Sequence, residues 1–251
     1  MSFTSFPARI DKVWLVVECL KRQTYLPEKI ILWLSKEQFP KEVCIPHTLW
    51  NQIDDLFEIR MVEEDLKSHK KYYYVVQEYP DKYILLVDDD IYYPTNMIEE
   101  MWKATFRYPD AIICRYGSLM TYEREKILKK YREWEQLTHP SESKNIFFGS
   151  GGGTLIQPRL LYSDLTKKEL FMELTPTADD VWLNAMADLA KVKIIKISTG
   201  LFCPILQGTE SSLYQENIGR GQNDTQIEKL IAYYQSASGV KVFQNKSLTL
   251  S

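Results

Sequence analysis

The chain has 251 residues, of which 45% are hydrophobic and 26% charged, and its formal net charge is -3. These values fit one large globular domain with ample residues for a core, or such a domain with a small appendage. The slightly acidic balance gives no electrostatic footprint for a nucleic-acid partner.

Four widely spaced cysteines form neither a CxxC pair nor a zinc-type cluster, so we expect buried free thiols. No stretch approaches the roughly 18 apolar residues that span a bilayer. Residues 1–9 also lack the basic and apolar regions of a signal peptide. We therefore expect a cytoplasmic protein without a transmembrane segment.

Short apolar runs alternate with amphipathic segments, which is typical of a sheet layered with helices. The predicted strands cover residues 3–5, 29–34, 57–62, 83–87, 111–114 and 192–197. The predicted helices cover residues 11–22, 70–79, 97–108, 178–189 and 225–234, and the sign-alternating segment 122–137 indicates a solvated helix. We predict an α/β fold with a mostly parallel, doubly wound sheet in a single domain.

Three consecutive aspartates, Asp88, Asp89 and Asp90, follow directly on the apolar run 83–87. Adjacent carboxylates at a strand end repel one another, and a hard divalent cation would neutralise them. Because such a cation is commonly shared with substrate phosphates, a diphosphate-bearing donor is the natural partner. A solvated acidic turn is the alternative that this motif alone leaves open.

Two further segments fall at the carboxyl ends of predicted strands, where open parallel sheets bind ligands. The first offers hydroxyls, an aromatic ring and a guanidinium, in Thr4, Ser5, Phe6 and Arg9. These groups can contact a phosphate, a ribose or a uracil, although a plain connecting loop explains them equally well. In the second segment, Lys71 is a candidate phosphate ligand or part of a solvated helix face, and Asp65 contacts the ribose or base or caps the helix.

Residues 147–158 hold four of the ten glycines of the chain. Such a run allows close approach of the backbone to a ligand, but its spacing matches neither a P-loop nor a dinucleotide fingerprint. Gly151 and Gly152 are therefore candidates to contact a sugar, unless the run is only a flexible hinge.

A second acidic pair, Asp179 and Asp180, opens the helix predicted for residues 178–189. Aspartates in a first helical turn favour the helix dipole, so simple capping is one explanation. The functional interpretation makes one of them a general base that deprotonates an acceptor hydroxyl while a metal holds the leaving diphosphate. Trp182 is then a candidate platform for a sugar face.

Together these motifs resemble bacterial nucleotide-sugar-dependent glycosyltransferases of the GT-A fold, especially those encoded with capsule and lipopolysaccharide assembly. The resemblance rests on TSFPARI at 4–10, QTYLPEKIILWL at 23–34, VDDD at 87–90, GSGGG at 149–153 and DDVW at 179–182, and it is looser beyond residue 182. It implies a Rossmann-like sheet, a DxD-type motif, and Mn²⁺ or Mg²⁺. It also implies a nucleotide-binding half at about 1–115 and an acceptor-binding half at about 116–251.

Carried over by position, the resemblance makes Asp90 the direct metal ligand, places Asp88 near the ribose and metal, and turns Asp89 toward the donor sugar. Asp180, or failing that Asp179, takes the place of the catalytic base of an inverting enzyme. The residues that would line the nucleotide side are Thr4, Ser5, Arg9, Asp65 and Lys71. All three histidines, His47, His69 and His139, precede the second acidic pair, so GT-A enzymes with a late histidine ligand are poorly matched.

We therefore expect a metal-dependent glycosyltransferase that moves a sugar from a nucleoside-diphosphate donor, with UDP favoured, to a hydroxyl of a growing cell-surface glycan. A lipid-linked acceptor would bring the protein to the inner face of the plasma membrane, where residues 129–132 could dock. One alternative is a sugar nucleotidyltransferase, which normally has a Gly-rich, basic loop where this chain has Phe-Pro-Ala at 6–8. The other alternative is a catalytically silent homologue that binds a glycan or supports an assembly complex.

Overall fold

The computed structural model describes residues 1–41, 44–124, 126–143, 145–198, 203–204 and 221–245. Its strands are β1 (Ser2–Thr4), β2 (Ile30–Ser35), β3 (Phe57–Val62), β4 (Ile84–Val87), β5 (Ala111–Cys114), β6 (Gly117–Leu119), β7 (Tyr122–Glu123), β8 (Ile127–Leu128), β9 (Glu135–Gln136), β10 (Ile146–Phe148), β11 (Gly152–Ile156) and β12 (Lys193–Lys196). Its α-helices are α1 (Val13–Lys21), α2 (His47–Trp50), α3 (Lys70–Glu78), α4 (Met97–Arg107), α5 (Lys168–Leu174), α6 (Asp179–Leu189) and α7 (Gln222–Ser238).

The central sheet has seven strands in the order β12-β5-β11-β4-β1-β2-β3. Every neighbouring pair is parallel except the two that β11 makes with β4 and β5. A smaller antiparallel sheet joins β10, β6 and β9, and β7 pairs with β8. The predicted α/β fold, with a mostly parallel sheet flanked by helices, is confirmed.

The core lies on both faces of the sheet, as β4 illustrates. Because successive strand side chains point to opposite faces, Ile84 and Leu86 pack with α3 and α6, whereas Leu85 and Val87 pack with α1 and α4. A strand buried on both faces is apolar throughout rather than alternating. This burial explains why the sequence reads as an unbroken apolar run up to the first aspartate.

Most predicted elements are confirmed, and two of the strands, β3 and β5, have the predicted limits. The helix predicted for residues 122–137 is wrong, because the described part of that segment forms β7, β8, a short 3₁₀ helix and β9. Aromatic packing accounts for the difference. Trp134 is buried, its ring centroid lies 5.0 Å from that of Phe147, and its indole N–H donates to the Lys129 carbonyl.

Two further expectations concern the cysteines and the membrane. The four cysteines are free thiols, but only Cys114 is buried, and Cys44 and Cys203 are exposed. Within the described ranges, the helices are too short or too polar for any of them to traverse a bilayer.

The topology brings four segments to the carboxyl ends of β1 and β4. The loop after β1 and the aspartates after β4 are neighbours because these two strands pair directly. Since β11 runs antiparallel to β4, with Gly152 opposite Val87, the turn that precedes β11 reaches the same edge. The start of α3 is tied there by the Ser2 hydroxyl, which donates to the Lys71 carbonyl at 2.5 Å.

Candidate active site

Asp89 lies buried beneath the loop that follows β1. Its two oxygens accept hydrogen bonds from the Ser5 hydroxyl at 2.5 Å and from Arg9 Nη1 at 2.8 Å. The loop is a tight turn in which the Arg9 and Ile10 N–H groups both donate to the Phe6 carbonyl. The Phe6 ring centroid lies 5.3 Å from the guanidinium carbon of Arg9. The structure therefore joins three predicted residues of the first loop to the aspartates after β4.

Asp90 shares the same arginine, since its Oδ2 lies 2.7 Å from Arg9 Nη1. Its side chain is 25% exposed. Burial, followed by the charges of Asp88 and Asp89, raises the pKa of Asp90 to about 7. The guanidinium thus compensates only part of the negative charge at this strand end.

Lys71 pairs with Asp88, the aspartate after β4 that Arg9 does not contact. Its ammonium lies 2.6 Å from Asp88 Oδ1, 3.0 Å from Ser150 Oγ and 3.1 Å from Asp179 Oδ2. Burial acts to lower the pKa of Lys71, but the nearby carboxylates of Asp179 and Asp88 raise it above its usual value. Lys71 is therefore a permanently charged internal cation. In this structure its three N–H donors are taken by these acceptors, and the contact of Lys71 with phosphate stays a prediction.

Gly151 makes room for Asp88. A Cβ atom at Gly151 would lie 1.7 Å from Asp88 Oδ2, so only glycine tolerates the observed carboxylate position. The Tyr93 hydroxyl accepts the Asp88 N–H at 2.8 Å and donates to the Gly151 carbonyl. These contacts give Gly151 a role in placing Asp88, whereas Gly152 begins β11 in register with Val87. Sugar contacts by either glycine stay a prediction.

Ser150 connects the turn before β11 to the second acidic pair. Its hydroxyl donates to Asp179 Oδ2 at 2.6 Å, and its backbone N–H donates to Asp180 Oδ1 at 2.6 Å. Together with Lys71, it links the aspartates after β4 to those that open α6. Neither Ser150 nor Tyr93 was identified from the sequence. The position of Ser150 inside the glycine run was the available signal.

The two aspartates of α6 have different environments. Burial acts to raise the pKa of Asp179, but Lys71, His69 and the Ser150 hydroxyl hold it below its usual value. Asp180 is partly exposed, and burial together with the charge of Asp179 raises its pKa to about 7. Asp179 is thus a fixed counter-ion, whereas Asp180 can exchange a proton near neutral pH.

Thr4 and Asp65 make their contacts elsewhere. The Thr4 hydroxyl donates to the Trp33 carbonyl at 2.8 Å. Asp65 lies beyond β3, where it pairs with Lys70 and, at 2.7 Å, with Lys67. Among the described residues, no contact joins Asp65 to the aspartates after β4, so its predicted contact with the nucleotide stays a prediction.

The prediction for Trp182 is wrong. Its side chain is 0% exposed, its indole N–H donates to the Leu165 carbonyl at 3.1 Å, and its ring packs edge-on against Phe171. A ring enclosed in this way has no face open to a sugar. Trp182 lies on the inward face of α6 and anchors the helix that begins with the acidic pair.

No protein-family model matches the chain, and no curated protein matches it. Solved structures that are similar in backbone include HddC from Yersinia pseudotuberculosis. That match has a TM-score of 0.46 and 13% sequence identity, and it covers 88% of this chain and 89% of that chain. Apo UDP-glucose pyrophosphorylase has a TM-score of 0.43 and 11% identity over 90% of this chain and 87% of that chain. UDP-glucose pyrophosphorylase complexed with UDP-glucose has a TM-score of 0.43 and 13% identity over 89% and 86%. At these values the comparisons assign no activity to the chain.

Proposed function

We propose that the protein is a metal-dependent glycosyltransferase that moves a sugar from a nucleoside-diphosphate donor, with UDP the favoured nucleotide, to a hydroxyl of a growing cell-surface glycan. The observation that carries this proposal is the convergence of two acidic segments at one edge of the sheet. Lys71 and Ser150 bridge them, and the partly exposed Asp180 lies beside the group that contains Asp88. Such an arrangement would place the carboxylates that bind the metal and leaving diphosphate next to a general base within one site.

The charge balance of the site fits a divalent cation. Among the described residues, the contacts of the site join five carboxylates and two cationic side chains, namely Asp88, Asp89, Asp90, Asp179 and Asp180 with Arg9 and Lys71. The more accessible carboxylates after β4 are those of Asp88, at 38% exposed, and Asp90, at 25%. Burial is the main reason for the raised pKa of Asp90, and a cation there would relieve the repulsion by Asp88 and Asp89 that adds to it.

The number of ligands also suits this kind of ion. In the part of the chain that the structure describes, no three histidine, cysteine, aspartate or glutamate side chains are grouped to hold a metal by themselves. Mg²⁺ sites commonly use one or two carboxylates and complete their shell with substrate phosphates and water. Asp88 and Asp90 would hold Mg²⁺ or Mn²⁺ in this way, and the bound ion would stabilise the charge of the leaving diphosphate.

The protein side chains divide the remaining tasks. Arg9 and the first loop would face the donor diphosphate and nucleotide, since a guanidinium matches phosphate geometry. Asp180 would remove the proton of the acceptor hydroxyl, because this residue is partly exposed and its pKa of about 7 suits proton transfer at neutral pH. Asp179 would stay ionised beside Lys71 and hold the turn in place.

The acceptor side is proposed on the resemblance alone. A lipid-linked glycan would bring the protein to the inner face of the plasma membrane as a peripheral, cytoplasmic protein. Residues 129–132 lie in a short turn in which Lys130 pairs with Glu228 at 3.2 Å. Partitioning onto anionic vesicles, compared with a charge-reversed Lys129→Glu variant, tests this contact.

The test of the proposed function is the release of nucleoside diphosphate from a panel of nucleotide sugars, with and without Mn²⁺. We expect release from one donor only when the metal is present, and we expect Asp90→Ala to abolish it. Asp110→Ala is the matched control, because it also removes a carboxylate paired with an arginine, Arg159 at 3.3 Å, but at the opposite edge of the sheet. Unchanged donor turnover by Asp90→Ala would overturn the proposal.

The second candidate is a sugar nucleotidyltransferase, the kind of activity for which two of the compared structures are named. The comparisons fit this candidate at least as well as they fit sugar transfer, and a metal-binding group of carboxylates would serve either reaction. The first loop argues for transfer, since Phe-Pro-Ala occupies residues 6–8 in place of glycines. Pyrophosphate release from a nucleoside triphosphate and a sugar 1-phosphate would establish the nucleotidyltransferase. A silent homologue would release neither product.

A further inference from the structure

Arg9 is bound to the acidic segment in an unusual way. One nitrogen, Nη1, serves two carboxylates, at 2.8 Å from Asp89 Oδ1 and 2.7 Å from Asp90 Oδ2. The Nε atom of the same guanidinium is buried and has no hydrogen-bond partner among the described residues. A guanidinium normally presents paired N–H groups to one anion. Arg9 therefore retains a donor that the aspartates do not use.

Arg9 pairs with Asp89 and with Asp90, and the two carboxylates differ in how firmly other groups hold them. Asp89 is buried, and the Ser5 hydroxyl holds its second oxygen, so this carboxylate is fixed within the loop. Asp90 is more exposed and pairs with Arg9 alone among the described residues. The contact with Asp90 can be given up while the contact with Asp89 keeps the guanidinium in place.

We propose that Arg9 is an exchangeable counter-ion, which neutralises Asp90 in the free protein and releases it when a divalent cation and a diphosphate bind together. The proposal rests on the proposed function, because it takes Asp90 as a metal ligand. An internal guanidinium competes with the cation for the same carboxylate, so the cation alone binds weakly. When the contact with Asp90 is lost, a diphosphate gives the guanidinium a new anion to pair with. Binding of either ligand therefore favours binding of the other.

Linkage makes this coupling measurable, because each ligand must improve the affinity for the other by the same factor. We expect UDP to tighten Mn²⁺ binding by the wild-type protein by about tenfold, within the usual range of such coupling. Arg9→Gln removes the competing charge. This variant is expected to bind Mn²⁺ without UDP about tenfold more tightly than the wild type, and UDP should tighten its Mn²⁺ binding by a smaller factor than in the wild type, because only direct coordination of the ion by the diphosphate remains.

The experiment is a titration of the full chain with MnCl₂, with and without UDP, followed by electron paramagnetic resonance of free Mn²⁺, with the Mn²⁺ bound by UDP in a protein-free titration subtracted. Arg60→Gln is the matched control, since Arg60 also pairs with two carboxylates, Glu58 and Glu78, and lies 5.3 Å from an aromatic ring, that of Trp33. It should bind Mn²⁺ as the wild type does. Circular dichroism establishes that each variant is folded.

Arg9→Lys provides a second variant in case Arg9→Gln does not fold. A lysine keeps the charge but loses the planar fork that reaches both carboxylates, so its Mn²⁺ affinity should lie between those of the wild type and Arg9→Gln. Affinity no tighter than that of the wild type in the folded variants, with Asp90→Asn still weakening it, overturns the counter-ion role and leaves the metal site standing. Absence of Mn²⁺ binding to the wild type, even with UDP, overturns the metal-dependent donor site and this inference together.

Discussion

The two acidic segments of the site, after β4 and at the start of α6, have similar contacts but pair with different cations, Arg9 and Lys71. In each, a serine hydroxyl and a cationic side chain hold one buried aspartate, Asp89 after β4 and Asp179 at the start of α6. In each, the following aspartate is more accessible and has a pKa raised to about 7. The compensation of the two buried aspartates differs in extent. Burial raises the pKa of Asp89 despite Arg9 and Ser5, whereas burial also acts to raise the pKa of Asp179 but Lys71, His69 and Ser150 hold it below its usual value.

The cations differ in how they are bound. Lys71 is 4% exposed and has an acceptor for each of its donors, so it acts as a fixed part of the structure. Arg9 is 14% exposed and keeps an unused donor. The comparison suggests that the segment that opens α6 is built for a fixed geometry, whereas the segment after β4 is built for exchange of a counter-ion.

The largest effect is expected at Asp180. Asp180→Asn keeps the shape of the side chain but cannot accept a proton, so turnover should fall by about 10²–10⁴-fold. Donor affinity should change little, because the proposed role of Asp180 is to deprotonate the acceptor. Nucleoside diphosphate release in the presence of glycan acceptor measures turnover, and a thermal shift with donor measures binding. A fully active Asp180→Asn would remove the distinction between the two aspartates of α6.

The next effect concerns Lys71. Lys71→Met leaves Asp88 and Asp179 without their shared buried cation, which should lower the free energy of unfolding by about 3–5 kcal/mol. Lys82→Met is the control, because the exposed pair of Lys82 with Glu28 should contribute under about 1 kcal/mol. Urea denaturation measures both. Equal losses for the two variants would mean that Lys71 is no fixed element of the site.

Ser150 should have a smaller effect. Ser150→Ala removes one acceptor from Lys71 and one donor from Asp179, at an expected cost of about 1–3 kcal/mol in unfolding free energy. The backbone N–H that contacts Asp180 stays, but the Ser150 hydroxyl also acts to lower the pKa of Asp180, so the pH profile of turnover should move to higher pH. Ser238→Ala, which removes an exposed hydroxyl bonded to the Tyr234 carbonyl, is the control. An unchanged pH profile in Ser150→Ala would contradict an effect of this hydroxyl on Asp180.

The most gradual effect is the dependence of the free energy of unfolding on pH. The pKa of Asp90 is about 7 in the folded protein against a usual value of 3.8, so the folded state holds this proton more tightly than the unfolded chain. Its contribution to stability is therefore greatest below about pH 4 and is lost as the pH rises to about 7. The slope is about 1.4 kcal/mol per pH unit. Denaturation across this range should show a flatter profile for Asp90→Asn, and identical profiles would refute the raised pKa.

Much of the sheet could be predicted because its strands are buried on both faces. Runs such as 30–34 and 111–114 are continuous and apolar, and their limits are visible where polar residues begin. The position of Asp88 to Asp90 at a carboxyl edge followed from the end of such a run. Trp182 shows the limit of this reasoning, since its type suits a sugar platform but its place on α6 faces the core.

The amino-acid sequence by itself determined the parallel α/β class and the presence of two acidic segments, because burial patterns and charged motifs are local properties of the chain. Only the tertiary structure decided how these segments meet. Lys71 contacts Ser150, 79 residues away, because β11 inserts antiparallel beside β4 and brings its preceding turn to the same edge. The different properties of Asp179 and Asp180 follow from that long-range contact, because hydrogen bonds and opposing charges act through space rather than along the chain.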